Sequence, residues 1–559
     1  MPILPIRNLG ARGVVSDVNP VDLPIDAFTD ARNVRFDRGD VRATPVLREV
    51  HEFAAPTPDN QGNDIVPRHV HALKGEANTI DTLAIVYSDL SIKEFTNNAF
   101  VSDATRQASG QTHTLNRINS TTLANVTYFN DGFNTPQLRL PSVTPGQNFY
   151  RTLDATYGWD TNWRAVVLRA YKDFLIAMNV TESNNSKPNR VRWSSAASAN
   201  QPPTSWDASD PAVAAGFNDL VEMTSPIVDG LGLNTNFVIY TSDQVWQMEF
   251  VGGTFVFNFR KLFEDRGMIH QNCAVEVNGR HYVFDRNDIY THDGVSVQSI
   301  CDGRVRNTIF DRIDLSKTHR FFTLHFKDYG EIYFCYNSER MGQKFSEVNC
   351  CNEAAVYNYN TDTWSFVDLP NVLNGDRATL GTVQQYNNAG ALTYETVGGS
   401  YLSLGSKFRQ YNVVLSEEDS EDICLDETRL VAYDSAESTQ LVLPLAENLN
   451  GDAFVERQTI DLDQEAGLPL ATYKVIERIV PVLETFDQDK TFEFTFGAAL
   501  QLQQAPAYDA VQNFDLANHF KLDSRIGGRF LSYKFRTSGE KEFRLSGMDL
   551  SVAVTGRRS

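Results

Sequence analysis

Residues 273–300, CAVEVNGRHYVFDRNDIYTHDGVSVQSI, hold four short extended runs, at 274–277, 281–284, 289–292 and 295–300. The gaps between them centre on Asn278-Gly279, on 285–288 and on Asp293-Gly294. Asn-Gly and Asp-Gly tolerate the positive φ of two-residue hairpins, so the outer gaps are tight turns and the middle one a slightly longer turn. Four antiparallel strands joined by short turns make a meander, the unit of a β-propeller blade or of one edge of a sandwich. Whether the chain repeats the unit decides between the two.

It does. Residues 83–87 and 91–95, split by Ser88-Asp89, form one pair, and 123–129, closed by Asn130-Asp131-Gly132, belongs to a second group. A third holds 165–170, 174–178 and 190–194; a fourth holds 226–231, 237–241, 245–250 and 254–259. The opening stretch is the fifth, and 321–326, 331–336, 355–359 and 363–367 make a sixth. Repeats of roughly 40 to 50 residues are propeller spacing. Six open meanders side by side would expose many strand edges unless the ring closed. The expected architecture is therefore all-β: a propeller of about six blades over residues 68–370. Residues 195–217 (SAASANQPPTSWDASDPAVAAGF) read as a surface excursion between blades.

The flanks differ in texture. Residues 1–67 read as an ordered arm ending in a hairpin about Asp37-Arg38-Gly39, with Leu23, Ile25 and Phe28 as apolar anchors among prolines at 20, 24 and 45. Those three are expected to dock on the C-terminal domain or on a neighbouring subunit. Residues 371–559 are expected to form a smaller all-β platform of sandwich type, joined by the arm. Within it, residues 416–427 (SEEDSEDICLDE) carry seven acids.

Composition narrows the chemistry. Fifty basic residues against 71 acidic ones give a formal charge of −21, which argues against a surface built to grip nucleic acid, since such binding neutralises phosphates with Lys and Arg. No apolar run approaches the roughly 18 residues that cross a bilayer, and the N-terminus lacks the apolar core of a secretory signal, so synthesis in a cytoplasm is expected. The six cysteines form no CxxC pair and read as buried or incidental thiols. His69-Val70-His71 would put two rings on one strand face, but no third ligand stands at a metal-binding spacing. No HExxH, GxSxG, Walker or GxGxxG motif occurs. No catalytic residue, cofactor site or metal site is expected.

Five stretches carry more than strand and turn signals: DLPIDAFTDARNVRFDRGDV (22–41); NRVRWSSAA (189–197) through QPPTSWDASDP (201–211) and AGF (215–217); IVDGLGLNTNFVIYTSDQVWQMEFVGG (227–253); HYVFDRNDIYTHDG (281–294); and GRFLSYKFRTSGEKEFRLSGMDLSVAVTGRR (528–558). In order and spacing they resemble the tail nozzle proteins of short-tailed bacteriophages (podoviruses), also called tail tubular protein B. Residues 371–471 match no pattern of that family. The resemblance implies a structural virion protein, made in the host cytoplasm and resident in the tail. It implies a hexameric ring that extends the tail channel below the adaptor, seats tail fibres or spikes, and conducts double-stranded DNA without binding it specifically. A channel for DNA should repel phosphates, and Glu417, Glu418, Asp419, Glu421 and Asp422 are the candidate acidic lining. The competing reading is a receptor- or glycan-binding propeller of a tail spike, for which Trp193, Trp206 and Trp246 would have to be exposed on a concave face. A propeller glycosidase is a third class, and no carboxylate pair is singled out for it.

Overall fold

In a computed structural model the 273–300 stretch is a four-stranded antiparallel sheet: Ala274–Val277, Arg280–Phe284, Ile289–His292 and Val297–Ser299, paired in chain order. Asn278 and Gly279 take φ of 53° and 76°, the mirror-image turn that matches strand twist. The structure describes residues 3–53, 57–58, 64–74, 81–96, 99–100, 117–141, 150–253, 255–339, 350–381, 408–417, 428–434, 451–463, 467–468, 472–485, 491–538 and 542–554.

Six such sheets follow one another. Blade 1 starts with Pro67–Leu73, blade 2 with Asn119–Leu123, blade 3 with Arg164–Tyr171 and blade 4 with Ile227–Leu233. Blade 5 is the opening stretch, and blade 6 starts with Phe322–Phe326. The first strand of each blade lies beside the first strand of its neighbours, and apolar side chains fill the space between blades. Leu73, Val86, Ile92 and Phe129 join blades 1 and 2, for example, and Met178, Ile239 and Met248 join blades 3 and 4.

Blades 6 and 1 are not neighbours. Between them stands a seventh four-stranded unit, made of residues 372–381, Phe408–Glu417, Thr428–Asp434 and, as its outermost strand, Val46–Glu52 from the N-terminal arm. Its side chains alternate with the period of two that a doubly covered strand requires. Tyr411, Val413, Leu415, Leu430 and Ala432 pack with Val70, Leu83 and Ile85 of blade 1. Val414, Val431 and Tyr433 face the other way, where the Tyr433 ring lies 5.1 Å from Phe326 of blade 6. The expected count of about six holds for consecutive meanders, and the ring closes with a seventh blade drawn from both ends of the chain. The expected boundary at residue 370 falls inside one strand, Thr363–Gly381, whose first half belongs to blade 6 and whose second half starts blade 7.

The remaining strands form a two-sheet sandwich. One sheet runs Val34–Asp37, Asp40–Ala43, Arg544–Val554, Lys474–Glu484, Leu522–Asp523, with Ile3–Arg7 also on Arg544–Val554. The other runs Asp30–Arg32, Ala453–Ile460, Phe530–Thr537, Thr491–Ala499. Phe492, Phe494 and Phe496 alternate with polar neighbours, so one face of their strand meets Phe535 and Phe543 in the core.

The arm docks within its own chain. Phe28 is buried and stacks on Phe36 at 5.6 Å; Ile25 packs against the same core; Leu23 is buried, and its carbonyl accepts from Arg457 Nη2 at 2.8 Å. Two buried ion pairs fasten arm to propeller: Arg32 Nη1 to Glu353 Oε1 at 2.7 Å and Arg35 Nε to Glu331 Oε1 at 3.0 Å. Beside them Arg32 pairs in parallel with Phe366, which makes blade 6 and one sandwich sheet continuous.

Candidate functional site

Polar side chains on the first strands meet at the propeller axis, and a circuit of hydrogen bonds runs from blade to blade. Ser120 Oγ of blade 2 lies 2.9 Å from His69 Nε2 and 3.1 Å from His71 Nδ1 of blade 1. Asn119 Oδ1 and Thr121 Oγ1 accept from the Leu168 and Ala170 amides of blade 3. Arg169 of blade 3 holds Asp229 of blade 4 through two bonds of 2.9 and 2.8 Å, and also reaches Asn272 Oδ1 at 2.7 Å and the Ser120 carbonyl at 3.2 Å. The Thr323 amide of blade 6 donates to the Asn272 carbonyl at 2.8 Å. Asn374 and Asp376 of blade 7 accept from the Val70 and Ala72 amides, which completes the circuit.

Two arginines span this centre in opposite directions. Arg169 reaches blades 2, 4 and 5, while Arg117, just before blade 2, donates from Nη1 to the carbonyls of Arg320 and Leu373 at 3.1 and 2.9 Å. The axis is thus filled by side chains. Among the described residues it leaves no bore for duplex DNA, whose major groove alone is about 12 Å wide.

A serine, two histidines and an aspartate converge here, which invites comparison with a nucleophile relay. The geometry differs. His71 presents one nitrogen, Nδ1, both to Ser120 and to Asp376 Oδ2 at 3.2 Å, so the ring does not bridge acid and hydroxyl. His69 offers no base near neutral pH, because burial drops it to about 3. The two rings do share a strand face, but among the described residues no three His, Cys, Asp or Glu side chains group as metal donors.

The three tryptophans considered for glycan stacking are core residues. Trp206 is buried against Trp159, ring centres 4.9 Å apart, and pins the 195–217 excursion; Trp193 and Trp246 are 7% and 5% exposed. Exposed aromatics occur instead at Phe217 and Phe255, along a groove of about 1430 Å³ between the excursion and blade 4. Five more exposed apolar side chains stand on the sandwich: Leu500, Leu502, Tyr508, Val511 and Phe520.

Of the candidate acidic lining, Glu417 ends the Phe408–Glu417 strand of blade 7, while Glu418, Asp419, Glu421 and Asp422 lie outside the described residues. The axial residues Ser120, Arg169, Asp229 and Asn272 were missed by sequence reasoning. Their one signal is a polar residue in or beside the first strand of successive blades.

What fold and site define is a class: an all-β protein in which a closed propeller with a polar, side-chain-filled axis is fused to a sandwich. No family model matches the chain, and no curated protein matches it. Among solved structures, one similarity is to BBS1N in a crystal structure of its complex with ARL6DN, at 10% identity and a TM-score of 0.37, covering 73% of this chain and 99% of that one. A similarity of that order says nothing about activity.

Proposed function

We propose that this chain is a structural protein of a phage tail, a nozzle of the short-tailed type whose copies form a ring on the tail axis. In this reading DNA passes between copies of the chain, since each propeller is closed along its own axis. An adaptor lies above the ring and fibres or spikes attach to it, and the role is mechanical, without catalysis. The observation that carries the reading is the placement of exposed apolar surface. Ten of the eighteen large exposed apolar side chains among the described residues stand in two parts of the chain: Phe217, Val221, Phe250, Val251 and Phe255 on blades 3 and 4, and the five on the sandwich. Exposed apolar side chains on two different parts of the molecule suit head-to-tail contacts, which close into a ring when the rotation allows. The net charge of −21 suits a conduit that must not hold phosphates.

The test is to measure the mass of the purified chain in solution and to image particles that contain it. A closed ring of copies, coaxial with the tail, is the expected result. A monomer at all concentrations that decorates the tail periphery would support the receptor-binding reading instead, with the groove at Phe217 and Phe255 as its first candidate surface.

A further inference from the structure

Two blade edges border the groove beside the 195–217 excursion. Gly216–Asp219 is the outer strand of blade 3 and Phe257–Glu264 that of blade 4, and among the described residues each is paired with a strand on one side only. All four residues of the first, and Phe257, Asn258 and Phe259 of the second, line the groove. Its volume of about 1430 Å³ exceeds the roughly 300–1,000 Å³ of small-molecule pockets, so it has room for a length of polypeptide. A strand edge without a neighbour offers its amides and carbonyls to an added strand.

The side chains along this edge are apolar and set in place. Phe217 is 42% exposed, with the guanidinium groups of Arg190 and Arg192 at 4.0 and 5.1 Å from its ring centre. Arg190 is in turn fixed by Asp219 at 2.6 Å and Glu182 at 2.7 Å. Val221 and Phe255 are 86% and 78% exposed, and Phe255 stands on a turn that the Val251 amide closes onto the Val256 carbonyl at 3.1 Å. Anchors positioned in advance lose little freedom on binding. The charge of the groove has one sign. Its lining carries Asp210, Asp219 and Glu222 and, among the described residues, no Lys, Arg or His. Asp219 is committed to Arg190, while Asp210 and Glu222 are exposed and make no ion pair among the described residues.

We propose that this groove binds an extended peptide segment of another protein, apolar at alternate positions and carrying Lys or Arg, which adds as a strand to the Gly216–Asp219 edge. Its apolar side chains rest on Phe217, Val221 and Phe255, and its cation answers Asp210 or Glu222. Main-chain bonds supply the affinity, while alternate side chains and charge supply the specificity. The proposal does not require that copies of the chain form a ring.

The experiment selects binders to the purified full chain from a displayed library of random peptides about nine residues long, an extended span of about 30 Å. The expected consensus alternates apolar residues and includes Lys or Arg. In fluorescence anisotropy a recovered peptide should bind saturably, and Phe255→Ser should weaken it by about tenfold or more. Asp210→Lys combined with Glu222→Lys should also weaken it, by a factor that shrinks as salt is raised. These side chains are exposed, so both variants should unfold at the temperature of the parent chain. N-methylation of the peptide at alternate positions should abolish binding in one of the two registers only, because a strand turns every second amide toward a given neighbour. Failure to enrich any peptide, peptides that bind both variants as well as the parent, or binding that N-methylation leaves intact in both registers would overturn the proposal. Self-association that Phe255→Ser removes, with no peptide enriched, would give the groove to a second copy instead. The mass of the chain in solution reports on the ring separately, so the two readings can fail independently.

Discussion

Blade 5 and blade 7 have the same four-stranded form and opposite origins. Blade 5 is built from 28 consecutive residues whose turns are written in Asn278-Gly279 and Asp293-Gly294. Blade 7 takes its inner strand from the end of blade 6, two more strands from residues 408–434, and its outermost strand, Val46–Glu52, from the arm, where Ala432 pairs with Arg48. A local meander costs little chain entropy to close, whereas a pairing between residues some hundreds of positions apart is reached only once the rest of the ring stands. The ring therefore has six blades that can form early and one that fastens them.

Deleting residues 1–53 removes the outermost strand of blade 7 and four sandwich strands, and it should abolish cooperative folding of the whole chain. Loss of the near-ultraviolet signal and of a sharp thermal transition would be the readout. A truncated chain that still melts sharply would make the arm an accessory.

Acid should come next in size. Between blades 4 and 5, the Gly294 amide donates to His292 Nδ1, so His292 Nε2 donates to Tyr240, whose hydroxyl donates to His281 Nδ1, while His281 Nε2 donates to the Gly232 carbonyl. That order leaves both imidazoles neutral. Burial lowers His281 to about 4 and His292 to about 3, and His69 falls to about 3 as well. Unfolded histidines titrate near 6.5, so below about pH 6.5 the unfolded chain binds more protons. Stability present above that pH is lost as it falls toward about 4. Each of these imidazoles withdraws stability as it takes up a proton, so their effects act in the same direction. Denaturant midpoints measured against pH should fall across this window, and a flat profile would contradict the buried, neutral assignment.

The arm–propeller joint sets the third effect. Glu353→Ala takes away the nearest carboxylate of Arg32, leaving Asp30 and Asp368 at 3.8 Å each, and should cost up to about 3–5 kcal/mol, while the double change Arg32→Met with Glu353→Leu should recover most of it. An additive double mutant in urea unfolding would mean that the pair does not interact as drawn.

Smallest is Tyr240→Phe, which removes a single oxygen and leaves two imidazole nitrogens without their partner, at about 1–3 kcal/mol. The loss should appear in the midpoint with the slope unchanged, which would locate it inside a blade junction rather than in ring closure.

This contrast also explains what was legible. The blades were, because short apolar runs split by Asn-Gly and Asp-Gly turns are local signals. The arm's anchors were legible as apolar residues without local partners, and Leu23 and Phe28 are buried as such residues must be. Blade 7 was not, because Val46–Glu52 carries no mark of its partner Thr428–Asp434, and from sequence residues 371–471 read as part of a separate platform. The axial site was hidden for the same reason. Arg169, Asp229 and Asn272 are 60 and 43 positions apart in turn, and only ring geometry brings them together.

Ring closure by the arm is the claim on which the architecture rests, and native-state hydrogen exchange of the Val46–Glu52 amides tests it directly. If that strand completes blade 7, its amides should exchange only with the global unfolding event, at the same free energy as those of Thr428–Asp434 and of blade 5. Exchange of Val46–Glu52 through local opening, while blades 1 to 6 stay protected, would show a ring that stands without it and would contradict the account.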